Sequence, residues 1–252
     1  MSSEKDYLDE KPWYSYMGGV YKGKYPAYFN PADYDWVKQS EAEFGPFKIA
    51  LEKYLNQLGD NLQPYFLRTL PSKPGGWKIT TFYFWGKRVN ESCDAAPEVE
   101  AYLKKIPGLL SASVSWLDPQ TNIAPHYGDS NAMFRCHLGI SIPEPFPACG
   151  LEVNGEKRGW EEGKWLLFCD AHYHSAWNNT DKPRYIIIAD VIHPHFEKRR
   201  REICMNVHSL LRLQQIEMRH AFVSKLPGKV RGIIRRICKL GFEMGLLQPR
   251  QR

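Results

Sequence analysis

The sequence has no CxxC pair, no membrane-length apolar run, no glycine-rich phosphate loop and no convincing internal repeat. Each absence removes a class of protein. The six cysteines, Cys93, Cys136, Cys149, Cys169, Cys204 and Cys238, lack the paired spacing of a zinc ribbon. In a chain without an export signal they are expected to be reduced thiols. No stretch approaches the roughly 18 consecutive apolar residues that would suggest a transmembrane helix. The start, MSSEKDYLDEKPW, lacks the basic lead and apolar core of a secretory signal, so a cytoplasmic location is expected.

What remains is an ordinary globular composition: 252 residues, 43% apolar and 25% charged. That length allows one large domain, with or without a small appendage. The net charge of +6 is unevenly spread. From Glu197 onward there are 14 Lys/Arg against 4 Asp/Glu, whereas the preceding 196 residues carry 20 against 24. A mildly acidic body therefore bears a basic tail. Arginine pairs occur in that tail, but no stacking or groove-reading motif accompanies them, so no nucleic-acid partner is expected.

Residues 1–30 show no clear period and read as a wrapping arm or a loose terminus. Asn30-Pro31 can cap and start a helix. Phe47, Leu51, Tyr54, Leu55 and Leu58 recur at helical spacing, which predicts a helix over 46–58 that stops at Gly59-Asp60. WKITTFYFWG (77–86) reads as a strand, and a short helix follows Pro97. From 109 to 193 the chain becomes a series of short apolar runs broken by Gly, Pro, Asn and Asp, the pattern of a sandwich or barrel. WEEGKWLLF (160–168) is assigned to core strand, with no catalytic role. The division is thus an arm (1–30), a domain (31–196, β core about 77–194) and a basic helical tail (197–252).

Strand alternation selects the residues that carry chemistry. In FRCHLG, Arg135 and His137 share one face while Phe134, Cys136 and Leu138 share the other. A half-buried strand gains little from an inward cation without an anion to meet it. Arg184, Ile186, Ile188 and Asp190 likewise share a face. Two strand arginines could clamp a dicarboxylate, since guanidinium matches carboxylate two bonds at a time. His126 sits in a polar loop, and His172 and His174 lie near a strand edge. One imidazole from each segment would place a divalent metal in a barrel mouth.

The blocks SVSWLDPQTNIAPHYGDSN, FRCHLGISIP, WEEGKWLLFCDAHYHSAWN and RYIIIADVIHP resemble the aspartyl/asparaginyl β-hydroxylases, which are iron(II)- and 2-oxoglutarate-dependent oxygenases. The resemblance covers about 115–194, with a looser match at FYFWGKRVNESC; the basic tail lies outside it. It implies a mainly β protein with flanking helices, built on a double-stranded β-helix (jelly-roll, cupin-like) core. It implies Fe(II), 2-oxoglutarate and O2 as reactants. His126 and His174 match the iron ligands, and Ser115, Arg135, His137 and Arg184 match cosubstrate contacts. Arg184 lies ten residues after His174, which favours His174 over His172.

Most iron oxygenases add a carboxylate two residues after the first histidine. Here that position is Gly128, so the resemblance implies a site with two protein ligands. Asp129, one position late, is a candidate to hold a metal-bound water or to contact the metal itself, and Asp170 to orient water or a histidine from outside the coordination sphere. Some family members carry an arginine for the acidic substrate where this chain has Met133; Lys87 and Arg88 are candidate replacements. The expected substrate is the β-carbon of an aspartyl- or asparaginyl-type residue, free, carrier-bound or in a peptide. The alternative is a lipid acyl chain at a membrane surface, suggested by YFNPADYDWV and by the tail, whose basic helices could make peripheral contact. A non-catalytic binding scaffold is the remaining alternative.

Overall fold

The computed structural model describes residues 9–59 and 62–247. The first eight residues of the expected arm, Asp60 of the expected helix stop and the last five tail residues lie outside the described residues.

Two antiparallel sheets form the body. The larger contains β1 (Tyr28–Phe29), β2 (Gln63–Pro64), β3 (Trp77–Phe84), β4 (Lys87–Arg88), β5 (Leu109–Leu117), β7 (Met133–Ser141), β10 (Trp165–Phe168) and β12 (Arg184–Ile192). The smaller contains β6 (Thr121–His126), β8 (Cys149–Val153), β9 (Glu156–Arg158) and β11 (His174–Asn178). From β5 onward the chain winds back and forth between them. The central order β10-β7-β12-β5 in one sheet answers β6-β11-β8-β9 in the other. This winding is the double-stranded β-helix that the resemblance implies.

Helices cover the larger sheet from outside. α1 (Ser15–Gly18) belongs to the arm, and α2 (Asp35–Ala42), α3 (Phe44–Leu58), α4 (Asn90–Ala95) and α5 (Pro97–Leu103) precede the barrel. The apolar faces of α3 and α5 meet where Phe47 stacks on Tyr102 at 3.8 Å. Both pack with Phe134, Cys136 and Leu138, the apolar face of β7. Burying each such side chain contributes about 1.5–3 kcal/mol. A second cluster, including Trp77, Leu117, Ile123, Leu151 and Phe168, fills the space between the sheets.

The predicted strand over 77–86 ends at Phe84. Trp85 (φ 44°) and Gly86 (φ 80°) form the two-residue turn into β4, a turn that requires positive φ. Trp85 tolerates this conformation because its surroundings hold it. Its N–H donates to Ser111 Oγ at 3.1 Å, and its carbonyl lies 3.1 Å from His208 Nε2.

His208 belongs to α6 (Arg200–Arg219), which is followed by α7 (Ala221–Ser224) and α8 (Gly228–Glu243). Ile203, Val207 and Leu211 of α6 pack on Leu110, Met133 and Ile192 at the end of the barrel. The arm is also packed: β1 pairs with β10, and Tyr21, Tyr25 and Tyr28 are buried. Among the described residues, no helix is long and apolar enough to cross a membrane.

Candidate active site

β6 and β11 pair so that His126 stands directly opposite His174. Their ring centroids are 4.3 Å apart. Each ring is oriented by its own strand: His126 Nδ1 lies 2.9 Å from the Ala124 carbonyl, and His174 Nδ1 lies 2.8 Å from the His172 carbonyl. A carbonyl only accepts, so each Nδ1 carries the proton and each Nε2 keeps a lone pair. Burial lowers the His126 pKa to about 4 and holds His174 well below the usual imidazole range. Two neutral imidazoles with free ε lone pairs suit a divalent metal. His172 is occupied elsewhere, with its Nε2 2.8 Å from the Tyr25 carbonyl in the arm.

A cavity opens beside these rings. Its lining includes Ser115, Arg135, His137 and Arg184 as well as both histidines, so one space collects all the residues matched to iron and cosubstrate. The walls between them, including Ile123, Leu151, Phe168 and Ile186, are apolar.

Arg184 is 1% exposed, and among the described residues its Nε and Nη1 have no hydrogen-bond partner. Its guanidinium lies over the Trp160 indole, 4.7 Å from the ring centroid. Burial lowers its pKa to about 10, which leaves it cationic at neutral pH. A buried cation without an anion is costly, and a carboxylate would satisfy two of its donors together. Trp160 Nε1 also donates to His137 Nδ1 at 3.2 Å. That bond puts the His137 proton on Nε2, which is buried and has no partner among the described residues. Ser115 Oγ accepts from Trp77 Nε1 at 3.0 Å, leaving its own O–H free to donate.

Arg135 is arranged differently. β7 and β12 align it with Asp190, and the two make a forked ion pair with contacts of 2.7 and 3.2 Å. Its Nη1 also lies 2.6 Å from Asp170 Oδ1. The same Asp170 oxygen is 3.4 Å from His174 Nε2. Burial raises the Asp170 pKa and Arg135 opposes the rise.

Gly128 now has a physical explanation. A Cβ added there would fall 1.4 Å from Asp170 Oδ2. The Asp170 carboxylate thus occupies the volume that a side chain at position 128 would need. Asp129 faces away from this contact, accepting a hydrogen bond from Trp85 Nε1 at 3.1 Å, and it does not line the cavity. Among the described residues, no group of three His, Cys, Asp or Glu side chains has metal-binding geometry.

The substrate candidates are not brought to the cavity. Met133 is fully buried in the cluster beneath α6. Arg88 pairs with Glu100 at 2.8 Å and Asp94 at 2.7 Å, and Lys87 is exposed on the neighbouring hairpin. Conversely, sequence reasoning missed Trp160, which it placed in a strand core without a role at the site. No spacing signal marked that tryptophan, because its two partners come from β7 and β12.

The profile of the aspartyl/asparaginyl beta-hydroxylase family matches residues 48–194, more than half of the chain. The chain belongs to the aspartyl/asparaginyl β-hydroxylase family. Within this family it is 32% identical over 175 residues to the ornithine lipid ester-linked acyl 2-hydroxylase of Rhizobium tropici, covering 67% of this chain and 61% of that one. It is 34% identical over 134 residues to the human aspartyl/asparaginyl beta-hydroxylase, covering 50% of this chain and 17% of the human protein. Among solved structures, a Pseudomonas putida prolyl-4-hydroxylase aligns with a TM-score of 0.39 at 16% identity, over 67% of this chain and 90% of that one. The arm and all three tail helices lie outside the matched segment.

Proposed function

We propose that this protein is an iron(II)- and 2-oxoglutarate-dependent hydroxylase acting on the acyl chain of a lipid. The observation that carries the catalytic half is a set of unused polar atoms around one cavity. They are the ε nitrogens of His126 and His174, Nε2–H of His137, and Nε and Nη1 of Arg184. His126 and His174 would hold the ferrous ion. Arg184 would grip the distal carboxylate of 2-oxoglutarate with two donors, while His137 and Ser115 would each donate one further bond. Arg135, already committed to Asp190 and Asp170, would position the Asp170 carboxylate beside the metal. With iron and cosubstrate bound, the site would supply oxidative chemistry: O2 is divided between 2-oxoglutarate, released as succinate and CO2, and a substrate C–H that becomes C–OH.

Two observations support the acyl chain. The Rhizobium relative, named for acyl 2-hydroxylation, matches a larger share of this chain than the human relative does. The residues proposed for an acidic substrate are also absent from the cavity lining, which leaves Arg184 for the cosubstrate. A second reading, hydroxylation at the β-carbon of an aspartyl- or asparaginyl-type residue, is favoured by the family's description and by the human relative.

The test is succinate release in the presence of separate lipid, peptide and amino-acid pools, with the product identified by a mass gain of one oxygen. Lipid-dependent turnover that His174→Ala abolishes is the expected result. Turnover with peptides alone would select the second reading. Absence of turnover with every pool would favour a binding scaffold.

A further inference from the structure

α8 turns an apolar side outward. Val230, Ile233, Ile237, Leu240 and, just past the helix end, Met244 are 39%, 56%, 63%, 54% and 64% exposed. At about 100° per residue they form one narrow stripe, about 20 Å long at 1.5 Å per residue. The helix is not loosely attached. On its inner side Arg231 makes a forked ion pair with Glu217 of α6, at 2.6 and 3.1 Å. Cys238 and Gly241 are buried, and the Phe242 ring lies 5.6 Å from His208. Packing therefore fixes which side faces out, and that side is a continuous row of large aliphatics. Isolated apolar residues are normal on a surface, whereas a contiguous row marks a contact surface.

Charge identifies the partner. Lys229 and Arg236 are exposed along one border of the stripe, and neither has an ion pair among the described residues. Exposed Arg219 and Lys225 precede them, and the chain from Glu197 onward carries 14 Lys/Arg against 4 Asp/Glu. We propose that α8 docks on an anionic lipid surface. It would lie in the plane of the interface, its aliphatic stripe among the acyl chains and Lys229 and Arg236 among the headgroup phosphates. A second copy suits the stripe less well. Arg236 borders the stripe at about its mid-length, where a two-fold contact would set it against the same arginine of the partner. No α8 residue lines the cavity, so this inference concerns a separate surface and goes beyond the hydroxylase reading.

The full chain is to be sedimented with vesicles of three parts phosphatidylcholine to one part phosphatidylglycerol, and with phosphatidylcholine alone, at about 0.1 M salt. The expected result is binding to the anionic vesicles, weakened by added salt. Ile233→Glu with Ile237→Glu should reduce that binding at least about tenfold. Both positions are exposed, so the thermal melt and 2-oxoglutarate binding should be unchanged. Absence of wild-type binding, equal binding to neutral vesicles, or wild-type-like binding by the double variant would each overturn the inference. So would a wild-type dimer, seen by sedimentation velocity, that the double variant abolishes; that would assign the stripe to a second copy. Vesicle binding tests α8 and cosubstrate binding tests the cavity, so either can fail alone.

Discussion

Arg184 sits in the barrel as a buried guanidinium with two nitrogens that meet no acceptor among the described residues. Such a group destabilises the empty fold and is relieved when an anion arrives. Arg184→Met should therefore separate two properties. Cosubstrate affinity should fall by roughly 10–150-fold, the equivalent of losing a charged hydrogen bond worth about 1.5–3 kcal/mol. The melting temperature of the metal-free, cosubstrate-free protein should stay level or rise. Titration calorimetry and a thermal melt check the two halves; loss of both affinity and fold stability would assign Arg184 a structural role. Gly128 predicts the opposite kind of effect. Gly128→Ala drives a methyl into the Asp170 carboxylate. Overpacking of this kind costs about 1–3 kcal/mol, so the melt should drop and metal retention on dialysis should weaken.

Elements divide sharply in how far the sequence revealed them. β7 and β12 were legible because a strand's period of two separates Arg135 and His137 from Phe134, Cys136 and Leu138 without any knowledge of neighbours. α3 and α5 were legible from their apolar spacing, although α4, only six residues long, was not. His126, the His172/His174 pair and Arg184 were legible from residue type and pattern, Ser115 and the choice of His174 came through the resemblance, and the fold gathers Ser115, His126, His174 and Arg184 around one cavity. Trp160 and the exclusion of position 128 by Asp170 were hidden, because both arise between segments distant in sequence. Which barrel residues α6 meets was hidden for the same reason. Its Ile203 is fully buried against the barrel end, so Ile203→Ala should cost about 2–5 kcal/mol. Denaturant titration checks this; a cost near zero would mean that α6 contributes little to the barrel's stability.

For the whole molecule, buried imidazoles set the acid limit. Burial lowers His126 and His208 to about 4 and His193 to about 3, and pushes His137 and His174 well below the usual range. Between an unfolded-state pKa near 6.5 and these depressed values, the unfolded chain takes up protons that the native state refuses. Stability should therefore fall as pH drops from about 6.5 towards 4, by about 2 kcal/mol at pH 5 for each of His126, His193 and His208. Asp129 and Asp170, raised by burial, act in the opposite direction but are fewer. Metal-free protein melted across this range should lose stability steeply; a flat profile would mean that the imidazoles are protonated in the native state.

The central claim is that His126 and His174 hold one ferrous ion beside an arginine-anchored 2-oxoglutarate. Anaerobic addition of Fe(II) and 2-oxoglutarate, followed in the visible range, tests it most directly. The account predicts a weak charge-transfer band that saturates at one cosubstrate per chain and is absent from His174→Ala. A wild-type protein without the band, or a band that survives replacement of either histidine, would contradict it.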